Sequence, residues 1–213
     1  MDIKAILFDL GRVLVDFDME KCEAELTARS RVEHEELMRV LWDTGWARRY
    51  ETGEVSASEF YQFVLREAGL TMEFEEFMKC WTEVFDPVPI LPDHVLPALA
   101  RAYPMTLISN TNQAHVEYIR DNYDVMQFFD NHVFSFQVGA LKPDRRMFDR
   151  AIEAAGFPPA NLIFIDDREE NIKAAHDLGL NTHWFKSVPG LFELFGRLGV
   201  DLAGPEAGES HNR

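Results

Sequence analysis

The chain has 213 residues, 46% of them apolar, enough to bury one good core and a smaller second one. Its 37 acidic and 21 basic residues leave a net charge of −16 with no Lys/Arg-rich block, which disfavours steering toward DNA, RNA or an anionic membrane surface. A small anionic substrate stays admissible if its site carries a local cation, a metal or a lysine.

The first stretch, Ile3-Lys4-Ala5-Ile6-Leu7-Phe8-Asp9-Leu10-Gly11, is an almost unbroken apolar run that ends in a carboxylate and a glycine. It reads as a buried parallel-type strand delivering Asp9 to its C-terminal edge, where open α/β sheets do chemistry. The alternating run through Asp18 predicts a short turn or hairpin-like exit. From there to about Phe85 the pattern turns helical, with four segments expected over 19–30, 33–44, 56–69 and 73–84. The third is the clearest: Ser56 and Glu59 form a capping box, Ala57, Phe60, Tyr61, Val64, Leu65 and Ala68 make an apolar stripe, and Gly69 stops it. Trp46, beside Gly45, marks a break between helices. The aromatic side chains of this module read mainly as helix packing, with one or two available to line a pocket over the sheet edge.

Pro87, Pro89 and Pro92 end the insertion, and helix and strand then alternate. Strands are expected at 105–108, 132–135, 162–165 and 182–185, with helices near 93–102 and 113–122, after Lys142-Pro143, after Asp167 and near 190–198. That order predicts an α/β fold: a three-layer, Rossmann-like core with a parallel sheet and an inserted, four-helix-type cap. The boundaries expected are 1–16 and 86–203 for the core, 17–85 for the cap and 204–213 for a frayed tail. His211 falls in that tail and receives no catalytic role.

Cys22 and Cys80 match no metal-ligand spacing and read as reduced, partly buried thiols. No secretion signal precedes the first strand and no run of 18 apolar residues occurs, so a cytoplasmic protein, monomeric or homodimeric, is expected.

Four strand ends offer Asp9, Ser109-Asn110, Lys142 and Asp166-Asp167, with Asn171 one helical turn beyond Asp167. Carboxylates brought together raise one another's pKa unless a hard cation or a lysine neutralises them. With Mg²⁺ bound through oxygen, Asp9 stays ionised as a nucleophile and Lys142 holds charge on the electrophile. Each piece has a structural reading too: Asp166-Asp167 as a helix cap, Ser109-Asn110 as a self-bonded loop, Lys142-Pro143 as surface. Their shared place at strand ends is what argues for chemistry.

These motifs resemble those of the haloacid dehalogenase-like hydrolases over nearly the whole chain. Asp9 matches the nucleophile of the first motif, Ser109 the hydroxyl residue of the second, Lys142 the lysine of the third and Asp166-Asp167 the acidic pair of the fourth. The helical insertion looks like the family's cap of the first kind, C1. Phe8-Asp9-Leu10-Gly11, Ser109-Asn110-Thr111-Asn112 and Phe164-Ile165-Asp166-Asp167 are similar to bacterial sugar-phosphate phosphatases of the α-D-glucose-1-phosphate phosphatase type.

The resemblance implies a Mg²⁺-dependent phosphomonoester hydrolase for a small phosphorylated metabolite, a sugar 1-phosphate among them, working through an aspartyl-phosphate. Asp9, the Gly11 carbonyl and Asp167 would hold the metal, with Asp166 and Asn171 behind them. Ser109, the Asn110 N–H and Lys142 would bind the phosphoryl oxygens. One position departs from the pattern: family phosphatases usually carry a second aspartate where this chain has Gly11. Its loss removes acid–base help worth ~10²–10⁴-fold and favours easier leaving groups such as an anomeric oxygen. Asp16 or Asp18 would supply the acid if the exit loop folded back. The same gap fits a haloacid dehalogenase or another metal-independent hydrolase with Asp9 as nucleophile, and a weakly active or non-catalytic binding protein. A mutase, reusing the aspartyl-phosphate, would want the missing acid.

Overall fold

The computed structural model describes residues 2–200 and 202; the tail expected over 204–213, with His211, lies outside them. Its centre is β1 (Ala5–Phe8), every residue of which is buried. Successive side chains leave a strand on opposite faces, so Ile6 and Phe8 join one apolar cluster and Ala5 and Leu7 another. A tight turn follows Asp9, in which the Leu10 carbonyl accepts from the N–H groups of Leu14 (2.9 Å) and Val15 (3.1 Å).

The insertion comes next: α1 (Glu20–Ala28), α2 (His34–Met38) continuing through a wider turn at Arg39–Asp43, α3 (Trp46–Glu51), α4 (Ala57–Ala68) and α5 (Phe74–Thr82). Ser56 and Glu59 form the expected capping box on α4. The helix α3 is the element the sequence reading lacked. Gly45, at φ 79°, turns the chain just before it, and Arg49 stacks over Trp46, 4.5 Å from the ring centroid. The five helices close around their own core, with Leu26, Leu37, Phe60, Phe77 and Trp81 all buried. The insertion leaves and re-enters the core side by side. Phe17 pairs antiparallel with Phe85, Asp18 N–H donates to Val84 O (2.8 Å), and Asp86 N–H donates to Asp16 O (2.9 Å).

One expectation is corrected here. Cys22 on α1 and Cys80 on α5 are not separate reduced thiols: packing of the two helices brings their Cα atoms to 5.2 Å and the sulfurs are bonded as a disulfide. The cysteines therefore give no support to a reducing compartment.

The rest is α6 (Val95–Ala102), β2 (Met105–Ser109), α7 (Gln113–Asn122), β3 (Asn131–Phe134), the short α8 (Ser135–Val138), α9 (Arg145–Ala155), β4 (Leu162–Asp166), α10 (Glu169–Asp177), β5 (Asn181–Trp184) and α11 (Val188–Arg197). Ser135, expected to end a strand, begins α8 instead. The sheet order is β3-β2-β1-β4-β5, and all neighbouring strands run parallel. Leu96 and Leu99 of α6, Val116 and Ile119 of α7 and Phe195 of α11 cover one face; Met147 and Phe148 of α9 and Ala175 of α10 cover the other. This is the expected three-layer core with an inserted helical cap. No helix of the described residues is long and apolar enough to cross a membrane.

Candidate active site

Parallel pairing puts the C-terminal ends of β1, β2 and β4 on one edge of the sheet, and the side chains of interest converge there. Lys142, buried, reaches from the loop before α9 between two carboxylates: its Nζ lies 2.7 Å from Asp9 Oδ1 and 2.7 Å from Asp166 Oδ2. A third bond, 3.0 Å to the Ile108 carbonyl, fills its donor set. Asn110 fixes that loop, accepting from Lys142 N–H at 2.7 Å and donating to its carbonyl at 3.0 Å. Asp166 is fully buried and also accepts from Asn171 Nδ2 (3.0 and 3.1 Å) and from Arg168 N–H (2.8 Å). It holds the lysine and starts the turn into α10.

Burial sets the charge balance. It pushes the Asp9 carboxyl up to about 7, against the pull of Lys142. Burial alone would lower the Lys142 ammonium, but Asp9 and Asp166 more than offset it and hold it above its ordinary value. Half-buried Asp167 is raised by burial and by the negative charge of Asp166.

Oxygen atoms of Asp9, Asp166 and Asp167 lie within 4.8 Å of one another. That hard-oxygen set suits Mg²⁺. Two further oxygens support the fit. Asn171 Oδ1 is buried without a hydrogen-bond partner, and the Gly11 carbonyl accepts no backbone hydrogen bond among the described residues. A buried amide oxygen without a partner is costly unless a water or an ion meets it.

Above this floor is a cavity of about 470 Å³, within the range of small-molecule sites. Asp9, Gly11, Ser109, Asn110, Lys142, Asp167 and Asn171, the residues singled out in the sequence, line it, while Asp166 sits just beneath. The cap supplies the opposite wall through Trp42, Trp81 and Glu51, with Phe17 and Phe85 at the crossing. Asp16 and Asp18, the alternative acids, are not there. Asp16 accepts from Phe17 N–H (2.9 Å) and pairs with Arg12 (3.5 Å); Asp18 caps the start of α1 through Glu20 N–H (2.8 Å).

Sequence reasoning missed Glu51, Arg168, His115 and Ser135. Only Ser135 carried a signal, as a hydroxyl placed at a strand end. His115 joins α7 to the cap: its Nε2 donates to the Trp81 carbonyl (2.8 Å), and its Nδ1 accepts from Asn112 (3.2 Å). Burial lowers its pKa to about 4. The unfolded chain binds this proton near pH 6.5 and the folded chain only near 4, so between those values stability rises with pH. Acidifying from pH 7 to 5 is expected to remove about 2 kcal/mol through this group. Urea midpoints at both pH values check this, and His115→Gln should flatten the dependence.

The chain is also similar to known proteins. A family model described as haloacid dehalogenase-like hydrolase matches residues 3–179. The chain is similar to a D-ribitol-5-phosphate phosphatase of Bacteroides thetaiotaomicron, 27% identical over 186 residues, 84% of this chain and 90% of that one. It is also similar to an (S)-2-haloacid dehalogenase of Pseudomonas putida, 24% identical over 200 residues, 90% and 88% of the two chains. Among solved structures, a HAD family enzyme of B. thetaiotaomicron in complex with magnesium and inorganic phosphate superposes with a TM-score of 0.81 at 27% identity, covering 91% of this chain and 99% of that one. Since the family match takes in the cap and every residue of the acidic cluster, the chain belongs to the haloacid dehalogenase-like hydrolases.

Proposed function

We propose that this chain hydrolyses the phosphomonoester of a small polyhydroxylated metabolite, with a sugar 1-phosphate as the favoured class. The observation that carries the reading is the buried lysine held between Asp9 and Asp166 with Asp167 in reach, under a cavity of metabolite size. Asp9 attacks phosphorus, the bond to the leaving oxygen breaks, and water then hydrolyses the aspartyl-phosphate. Lys142 balances charge on the phosphoryl oxygens, and Ser109 and the Asn110 N–H donate to them. Asp166 keeps Lys142 in place and Asn171 holds Asp166, so that both would stand behind the residues that would hold a metal. Bound Mg²⁺, held by Asp9, Asp167 and the Gly11 carbonyl, would add positive charge at the same oxygens. We assign the cap to the C1 kind, inserted between the nucleophile and the second motif.

Two features favour the sugar 1-phosphate. Its anomeric oxygen leaves with less proton help than an alkyl oxygen does, which suits Gly11, and the exposed Trp42 ring in the cavity lining can take the C–H side of a sugar ring. The ribitol-phosphate relative supports a phosphorylated polyhydroxy substrate. The second reading is a dehalogenase, favoured by the haloacid dehalogenase relative and by Gly11, since halide leaves without a proton. The acidic cluster argues against it, because carbon–halogen displacement has no use for a cation site.

The test is phosphate release from p-nitrophenyl phosphate and from a panel of anomeric and primary sugar phosphates, with Mg²⁺ and with EDTA. Release that needs Mg²⁺ and is faster on anomeric substrates is expected. Equal rates on both classes would sink the sugar 1-phosphate, and metal-independent halide release from 2-haloacids would put the dehalogenase in its place.

A further inference from the structure

We infer that Glu51, presented by the cap, gives the leaving oxygen its proton and then takes a proton from the attacking water. The inference rests on the phosphatase reading and explains how such an enzyme works with Gly11 after its nucleophile.

Position 11 carries no acid, and a side chain there would be crowded: a Cβ would stand 3.0 Å from the Phe17 ring, which is itself packed under the Arg12 guanidinium at 4.8 Å. Asp16 and Asp18 are committed to backbone N–H groups outside the cavity. The carboxylates that line the cavity are Asp9, Asp167 and Glu51. The first two belong to the phosphoryl end; Glu51 is the remaining one, and it comes from the cap. Among the described residues its carboxylate makes no hydrogen bond or ion pair.

Glu51 is also held rather than merely nearby. It is the last residue of α3, and its carbonyl lies 2.7 Å from Ser135 Oγ at the start of α8. The same hydroxyl accepts from Thr111 N–H at 2.8 Å, one residue past Asn110. Two residues on, Gly53 sits at φ 71° against the Phe136 carbonyl, where any Cβ would collide. The cap is thus clamped to the phosphate-binding edge at the residue that carries the free carboxyl. Burial pushes that carboxyl up to about 7 against the opposing Arg168 guanidinium, so near neutrality it is available in both protonation states.

The proton balance closes. As Asp9 bonds to phosphorus and the leaving oxygen departs, Glu51 passes its proton to that oxygen and becomes a carboxylate. It then removes a proton from water as the hydroxide adds to phosphorus, which frees phosphate and Asp9 and restores the acid. The products are one alcohol and one phosphate per water consumed.

The experiment compares Glu51→Gln with wild type, both loaded with Mg²⁺, on a primary alkyl phosphate, a sugar 1-phosphate and p-nitrophenyl phosphate. The clamp uses the Glu51 backbone, so glutamine keeps it. We expect kcat/KM, which reads the first step, to fall ~10²–10⁴-fold on the alkyl phosphate, less on the sugar 1-phosphate and within about threefold on p-nitrophenyl phosphate, whose phenolate needs no proton, while turnover of p-nitrophenyl phosphate slows after an initial burst because hydrolysis of the aspartyl-phosphate has lost its base. An equal loss of kcat/KM on all three, no loss on any, or an unchanged kcat on every substrate would overturn the inference while leaving the phosphatase standing. Wild-type silence on all three would overturn both. If glutamine destabilised the fold, Glu51→Ala read on the same substrates would decide in the same way.

Discussion

An Asp9→Asn variant is expected to lose phosphate release by a factor on the order of 10⁴ or more while folding as the wild type does. Asn presents an amide where the wild type presents an anionic oxygen, and an amide oxygen does not displace an alkoxide from phosphorus. Packing should survive: the side-chain oxygen can still accept from Leu10 N–H, a bond of 2.7 Å in the wild type, and Lys142 keeps Asp166 as its partner. Removing a carboxylate that burial already strains should leave the thermal midpoint unchanged or raised. Acid quench of the working wild type, followed by peptide mass mapping, should find a phosphoryl group on the Asp9 peptide. An ester of the organic group there would identify a dehalogenase, and full activity in Asp9→Asn would remove the nucleophile from the argument.

Much of this was visible in the sequence for a physical reason. A central parallel strand is buried on both faces, so Ala5–Phe8 and Leu162–Asp166 stand out as apolar runs, and a charged or hydroxyl residue closing such a run is conspicuous. Asp9, Ser109 and Asp166 were legible in that way, Lys142 followed from the motif order and Asn171 from its place one helical turn beyond Asp167. The cap was harder to read. Its helices pack on one another through aromatic residues, and helical periodicity says which side is apolar but not which helix looks down on the sheet. The helix α3 has only six residues, too short for its period to register, so Glu51 looked like any other of the chain's 37 acidic residues. The disulfide was hidden for a similar reason: 58 residues separate Cys22 from Cys80, and only the packing of α1 on α5 brings them together.

Lys142→Met should be the most damaging substitution for stability. Methionine fills much of the lysine's volume but leaves Asp9 and Asp166, 7% and 0% exposed, without their shared cation. Breaking a buried ion pair from one side costs about 3–5 kcal/mol, because the remaining charge is neither solvated nor paired. The chain can lessen that cost by protonating Asp9. Its folded pKa, already raised by burial, then rises further above the unfolded one, the folded state holds a proton that the unfolded chain releases, and the deficit grows as pH rises from about 5 to 8. Urea unfolding in EDTA at several pH values measures it. Mg²⁺ should restore part of the loss, since a cation held by the folded state alone stabilises it and here meets carboxylates with no lysine to compete. Activity should stay down by ~10²–10³-fold even so, because the metal cannot replace a donor aimed at the phosphoryl oxygens. Adding Asp166→Asn to Lys142→Met removes one of the stranded carboxylates, so the double variant should regain stability without regaining activity. Equal stability of wild type and Lys142→Met in EDTA across this pH range would mean that the lysine does not stabilise the carboxylates it touches.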